Sequence, residues 1–356
     1  MAISQLSLTD FRNLRSATLD FNSRFNFISG DNGSGKTSLL EAIYVLCQAH
    51  SFRTHQLKQC INHEKSGFLL FGRFDDHKAG LAKNDRKLQI HVDGESIKRR
   101  SELVRKTPIN IVNADSFVLL GGAPQKRRAF IDWCMFHVEP GYAEQWRLFQ
   151  HALRQRNRLL KSRQDIKLLD YWDQHLIEPS LYLSKMRRDY CIKLQAVVEV
   201  ELCEILSGIS LELEYQQGWP DDISLVDATR INRERDIRSG FTNAGIHRDD
   251  LSFLSQGRNA SEILSRGQSK RLCIALLLAA LKVVSKSRHS RIILLIDDLN
   301  SELDSNAQNI VYQQLVDMDL QMFISNIDSP VPEAISGKEI KLFHVEHGII
   351  RPRNFS

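Results

Sequence analysis

The stretch that decides the fold is Gly30-Asp31-Asn32-Gly33-Ser34-Gly35-Lys36-Thr37, which satisfies G-x-x-x-x-G-K-[ST] at every specified position. A strand-like run, Phe25 to Ile28, leads into it. From Ser38 onward, Leu40, Ile43 and Leu46 recur at helical spacing, with Leu39 and Val45 widening the stripe. The order is therefore strand, loop, helix, and the loop reads as a phosphate cradle. Its glycines let backbone N–H groups approach an anion, Lys36 reaches the β and γ phosphates of a nucleotide, and the Thr37 hydroxyl can ligate Mg²⁺. The whole loop, Gly30, Asp31, Asn32, Gly33, Ser34, Gly35, Lys36 and Thr37, is the candidate nucleotide site, and Lys36 a candidate catalytic residue.

Such a loop needs a second carboxylate beside the metal, carried at the end of a buried strand. Ile292-Ile293-Leu294-Leu295-Ile296-Asp297-Asp298 supplies it, with five apolar residues suited to a strand covered on both faces. Asp297 is expected to hold Mg²⁺ through water, and Asp298 to orient or deprotonate an attacking water. Lys36 and Asp297 must meet at one nucleotide although 261 residues separate them, so the two ends of the chain are expected to build one sheet. The middle is then an insertion. From about Gln125 to Leu206 there is almost no turn chemistry, which predicts a helical block folded back on itself; heptads do not persist long enough for an extended coiled coil. Residues 66–97 alternate and turn, with Asp93-Gly94 as a turn signal, and predict antiparallel hairpins. The expected division is a discontinuous α/β head, 1–124 with 240–356, and a helical lobe, 125–239.

Composition agrees with this and excludes other classes. At 356 residues, with 42% hydrophobic and 26% charged side chains, the chain reads as an ordinary globular protein rather than a disordered or fibrous one. The apolar run Ile274 to Leu281 is far short of a membrane span, and the first dozen residues already hold Asp10 and Arg12, unlike a secretory leader. Six cysteines without a CxxC pair predict free thiols in a reducing cytoplasm. The formal charge of +5 permits a polyanionic partner without demanding one.

Leu264-Ser265-Arg266-Gly267-Gln268 opens an apolar helix 32 residues before Asp297. On its own it fits a plain capped helix, with Ser265 as cap and Gln268 reaching back. Placed after the phosphate loop and before the acidic strand, it resembles the LSxGQ signature of ABC-type ATPases, with Arg266 at a position that is usually glycine in transporters. Glu302-Leu303-Asp304 resembles the D-loop of such proteins, or equally a helix N-terminus. Together these segments resemble an ABC/SMC-type P-loop ATPase head, a mixed sheet plus an antiparallel subdomain, with an inserted helical lobe.

Further segments narrow the resemblance to the RecF family of bacterial recombination mediators, over essentially the whole chain: Phe11-Arg12-Asn13-Leu14, Pro124-x-x-Arg127-Arg128-x-Phe130-Ile131-Asp132, and Gly245-Ile246-His247-Arg248-Asp249-Asp250-Leu251. Ala114 and Ala307 depart from its pattern, and Ser325-Asn326 stands where transporters carry a switch histidine. The resemblance implies an ATP and Mg²⁺ site that also uses Arg12 and Asn13. It implies an ATP-dependent homodimer in which Ser265, Gly267 and Gln268 act in trans, with slow DNA-dependent hydrolysis as a switch. It further implies DNA binding at gaps in recombinational repair and replication restart, a link to the SOS response, and cooperation with RecR and RecO in loading the recombinase. Candidate phosphate-backbone contacts are Lys98-Arg99-Arg100, Arg105-Lys106, Lys126-Arg127-Arg128, and Arg147, Arg154, Arg156, Arg158, Lys161 and Arg163 in the helical block. Arg127 and Arg128 have a structural alternative, since Asp132 stands one helical turn from Arg128. The competing functions are the ATPase subunit of an ABC-type transporter and a non-catalytic DNA-binding scaffold.

Overall fold

The computed structural model describes residues 2–163, 166–206, 208–287, 291–326 and 331–353. It divides into two compact units, Met1–Phe117 with Arg288–Ser356, and Val118–Ser287. The first boundary falls close to the expected 124, whereas the second lies at 288 rather than 240. The signature segment and the helix it opens thus belong to the second unit.

In the first unit the strands are β1 Ile3–Thr9, β2 Ala17–Asp20, β3 Phe25–Ser29, β4 Gly67–Phe74, β5 Lys78–Asn84, β6 Leu88–Val92, β7 Glu95–Ser96 and β8 Ile109–Val112. Helices α1 Lys36–Gln48 and α2 Arg100–Lys106 lie among them. The second unit contributes α3 Pro124–Val138, α4 Tyr142–Ser162, α5 Leu169–Glu201, α6 Cys203–Leu206, β9 Glu212–Gln216, α7 Leu225–Ile231, α8 Arg233–Ser239, β10 Asp250–Ser255, β11 Arg258–Asn259, α9 Ala260–Ile263 and α10 Arg266–Ser287. The chain returns to the first unit with β12 Ile292–Asp297, α11 Ser305–Val316, β13 Leu320–Asn326, β14 Ile340–Glu346 and β15 Ile349–Arg353.

Two six-stranded sheets build the first unit. One is antiparallel, in the order β2-β1-β4-β5-β6-β7, and its β6–β7 corner is the expected Asp93-Gly94 turn, both residues at positive φ. The other, β15-β14-β3-β13-β12-β8, is parallel except for the edge strand β15. Strand β12 is apolar from Ile292 to Ile296 because both its faces are covered. Helix α1 buries Leu39, Leu40, Ile43, Val45 and Leu46 in the core between these elements, against Ile3, Leu6, Leu70, Leu295 and Phe323. Gln321 of β13, fully buried, fastens the first strand: its amide donates to Ile3 O at 2.9 Å and accepts Ile3 N–H at 2.8 Å.

In the second unit the expected helical block is present, with α4 and α5 packed along each other. Residues after Gly245 form not a return to the head but a three-stranded antiparallel sheet, β11-β10-β9. Buried arginines organise this unit. Arg187 of α5 donates to Asp132, to Asp249 (2.5 Å) and to the Tyr142 hydroxyl (3.0 Å). Arg156 of α4 bridges Asp173 (2.6 Å) and Asp236 (2.7 Å). Both guanidinium groups are fully buried, and such groups persist only when paired.

Candidate functional site

Parallel pairing sets the site. The register aligns Asp297 of β12 with Ser325 of β13, Asn326 with Ser29 of β3, and Ile296 with Val112 of β8. The carboxyl ends of these strands therefore open on one edge, where open α/β sheets bind ligands. There the loop 30–37 joins β3 to α1, and Asn113, Ala114 and Asp115 leave β8. A cleft of about 1490 Å³ results, lined among others by Gly33, Lys36, Thr37, Arg53, Asp297 and Asp298.

The loop is a cradle only glycine can form. Gly30 (φ +143°) and Gly35 (φ +124°) adopt conformations L side chains rarely reach, and a Cβ on Gly30 would lie 2.2 Å from Val345 O. A Cβ on Gly33 would meet nothing within 4 Å, so the backbone there stands open to a ligand. The Ser34 hydroxyl is buried with no hydrogen-bond partner among the described residues. Lys36 folds its ammonium onto the loop, donating to Gly30 O at 2.5 Å and Asp31 O at 2.9 Å. Asn13 braces the loop from behind, accepting from Ser38 Oγ at 2.9 Å and donating to the carbonyls of Gly33 and Ser34 at 3.4 Å.

Thr37 Oγ1 lies 3.1 and 3.0 Å from the two carboxylate oxygens of Asp297, joining residues 260 apart in sequence. Ser325 Oγ donates to Asp297 Oδ1 at 2.6 Å and accepts the Asp298 N–H at 3.2 Å. Asp298 sits in the left-handed region (φ +52°), which turns its carboxylate into the cleft lining rather than along the strand. A hydroxyl, a carboxylate and a second hydroxyl of hard oxygen character thus converge beside the phosphate cradle, the donor set Mg²⁺ prefers.

Arg12 also lines the cleft, but its fork is engaged. Nε and Nη2 donate to the two Glu41 oxygens at 2.9 and 2.7 Å, and Nη1 to Gln59 O at 2.8 Å. Glu41, fully buried on α1, also accepts from Ser51 Oγ at 2.5 Å and pairs with Arg53 at 3.4 Å. Burial pushes the Glu41 carboxyl up, but the hydrogen bonds from Arg12 and Ser51 outweigh it and hold the group below the usual carboxylate range. Sequence reasoning missed Glu41 and Arg53, and it marked Ser325 only as standing in place of a switch histidine, not as a partner of Asp297. A lone carboxylate inside the apolar run of α1 was the available signal for Glu41; Arg53 and Ser325 carry none that stands apart from their neighbours.

Ser265, Gly267, Gln268, Asp304 and the basic clusters are not among the residues that line this cleft. Ser265 and Gln268 make a reciprocal capping box on α10, Ser265 N–H to Gln268 Oε1 at 2.9 Å and Gln268 N–H to Ser265 Oγ at 3.3 Å. Residues 265–268, Gly267 included, are exposed in the second unit. Asp304 caps α11 by accepting Ala307 N–H at 2.9 Å. The expected Arg128–Asp132 pair does not form: Asp132 is taken by Arg187 and by the Tyr142 hydroxyl, and Arg128 donates to Asp249 O at 2.6 Å. Arg127 makes a bidentate pair with Asp250, at 2.8 and 2.7 Å. Arg127 and Arg128 are therefore structural, and so is the buried Arg156.

Comparison with known proteins agrees with this geometry. A family model for the RecF/RecN/SMC N-terminal domain matches residues 2–117. The DNA replication and repair protein RecF of Stutzerimonas stutzeri (strain A1501) is 40% identical, over 98% of this chain and 97% of that protein. The RecF protein of Pseudomonas aeruginosa (strain LESB58) is 38% identical over the same shares. Among solved structures, the recombination mediator protein RecF with ATP, in the RecFOR pathway, superposes with a TM-score of 0.87 at 25% identity, covering 99% of this chain and 98% of that one. An SMC head bound to the C-terminal winged-helix domain of ScpA shares the fold at TM-score 0.61 and 14% identity, covering 100% of this chain and 98% of that one. No helix among the described residues is long and apolar enough to cross a membrane.

Proposed function

The chain belongs to the RecF family of DNA replication and repair proteins, and from that membership we propose that it is an ATP-controlled DNA-binding protein of recombinational repair. The observation that carries the reading is the meeting of Thr37 with Asp297 beside a loop whose Gly30 and Gly35 leave no room for a side chain. The phosphates of ATP lie against the backbone of residues 30–37, and Lys36 exchanges its contacts with Gly30 O and Asp31 O for the β and γ oxygens. Thr37 and Asp297, the latter oriented by Ser325, hold Mg²⁺, which neutralises phosphate charge when bound. Asp298 accepts a proton from, or orients, the attacking water. Without a histidine after β13 the hydrolysis is slow and works as a release switch.

In this reading the exposed Ser265, Gly267 and Gln268 meet the nucleotide held by a second copy, so that ATP makes a homodimer that grips single-stranded or gapped DNA. With RecR and RecO it helps load the recombinase and supports the SOS response. Light scattering with and without ATP and gapped DNA tests nucleotide, oligomer and substrate together. Lys36→Ala is expected to lose ATP-induced dimers, and Ser265→Arg to retain ATP binding while remaining monomeric. A Ser265→Arg protein that dimerises normally with ATP refutes the sandwich.

A further inference from the structure

The second unit carries a line of cations that the nucleotide cleft does not use. At 3.6 residues per turn, Arg147, Arg154, Arg158 and Lys161 of α4 fall within an arc of about 60° and extend over about 21 Å. All four are exposed, while Phe149, Ala152, Arg156 and Leu160 on the other side of the helix are buried. The helix thus separates a structural arginine, Arg156, from its neighbours. Arg156 consumes the nearby carboxylates Asp173 and Asp236, whereas Arg147, Arg154 and Arg158 make no hydrogen bond or ion pair among the described residues. The single carboxylate on α4 itself is Glu144, in its first turn.

An aromatic ring is fixed at the end of this line. Phe241, in the loop after α8, is 48% exposed, and Lys161 Nζ lies 4.5 Å from its ring centre. Its position is pinned by its neighbours: Phe241 O accepts from Ser239 Oγ (3.2 Å) and Asn243 Nδ2 (3.1 Å), and Thr242 N–H donates to Asn157 Oδ1 of α4 (2.9 Å). Arg154, Asn157, Arg158 and Lys161 line a shallow depression of about 590 Å³ beside it. Spaced cations that track a phosphate backbone, with an exposed ring on which a base can stack, are the two requirements for holding a single strand without regard to sequence.

We infer that this face of α4, with Phe241, is a binding site for single-stranded nucleic acid, separate from the nucleotide cleft. Phosphates sit on Arg147, Arg154, Arg158 and Lys161, and a base stacks on Phe241. The inference rests on the DNA-binding function proposed above and names a surface for it.

The test is fluorescence anisotropy of a labelled oligo-dT with the full chain, both with ATP and without nucleotide, over a range of salt, against a duplex of equal length. Arg154→Glu combined with Arg158→Glu is expected to lower affinity at least tenfold. It should also reduce the salt slope by about 1.4, at about 0.7 per phosphate contact on a single strand. Phe241→Ala is expected to weaken oligo-dT binding about 5-fold or more with the salt slope unchanged. The substituted side chains are exposed, and unchanged thermal unfolding and ATP binding show that the variants are intact. A wild-type protein that binds no DNA overturns the DNA-binding function and this site with it. Wild-type binding that the double variant retains, at equal affinity and slope, overturns the site alone. Duplex bound as tightly as oligo-dT, with Phe241→Ala silent, overturns the single-strand assignment.

Discussion

Replacing Glu41 with alanine removes the carboxylate that aims two arginines at the cleft. Glu41 is fully buried, and it receives both arms of the Arg12 fork, the Ser51 hydroxyl and Arg53. Truncating one member of a buried ion pair costs about 3–5 kcal/mol, because the partner charge is left uncompensated. The Arg12 side chain keeps 21% of its surface in the open cleft, where water can reach it, so the lower end, about 3 kcal/mol, is expected. Glu41→Gln keeps the shape and one acceptor but not the charge, for a loss of about 1.5–3 kcal/mol. All four tryptophans, Trp133, Trp146, Trp172 and Trp219, lie in the second unit, so their fluorescence reports that unit while far-UV circular dichroism reports both. In urea, Glu41→Ala should lower the dichroism transition. The carboxyl's native pKa lies below its ordinary value, so its contribution is full above about pH 4.5 and disappears as pH falls through the native value. The variant and the wild type should therefore converge in acid. A loss below about 1 kcal/mol, or equal losses for alanine and glutamine, refutes the role given to this carboxylate.

Three further outcomes follow from the packing. Gly30→Ala must hold φ near +143° and place a Cβ 2.2 Å from Val345 O, so urea denaturation should show a loss exceeding about 1–3 kcal/mol, and titration should show weakened ATP binding. Arg187→Ala leaves Asp132 and Asp249 facing each other across a buried void, and a loss of about 3–5 kcal/mol is expected in the tryptophan-detected transition. Burial and the nearby Arg248, Arg128 and Arg156 push His247 down to about 4, against a hydrogen bond to Thr242 O that favours the charged form. The fold therefore prefers neutral imidazole. Its stability is full above about pH 6.5 and falls toward pH 4 by up to about 3 kcal/mol, and His247→Asn should flatten that limb of the profile.

The local parts of this protein were legible because their signals are local. The glycine loop, its strand and helix, and the apolar strand ending in Asp297 each announce themselves within a dozen residues. The long separation of Lys36 and Asp297 was enough to require that the ends share a sheet. What could not be read was competition among distant partners. Helical spacing offered Asp132 to Arg128, but Arg187, 55 residues away, takes it. Strand-like text after Gly245 signalled sheet without saying which sheet, and it joins β9 in the second unit rather than the head. Basic clusters looked alike in sequence, yet Arg127 and Arg156 are tied into pairs while Arg154 and Arg158 are not.

Strand β3, which delivers the phosphate loop, is hydrogen-bonded on one side to β13 and on the other to β14, both made from residues beyond 319. At a synthesis rate of about 5–20 residues per second, the loop leaves the ribosome roughly 15–60 s before either neighbour exists. Before that interval ends the second unit, complete at Ser287, has its whole sequence in hand and can fold, while the emerging N-terminal third must keep the buried strand β3 unpaired. The nucleotide site is thus among the last things the nascent chain completes, and a ribosome that stalls before β13 yields a product with a finished helical lobe and no means of holding ATP.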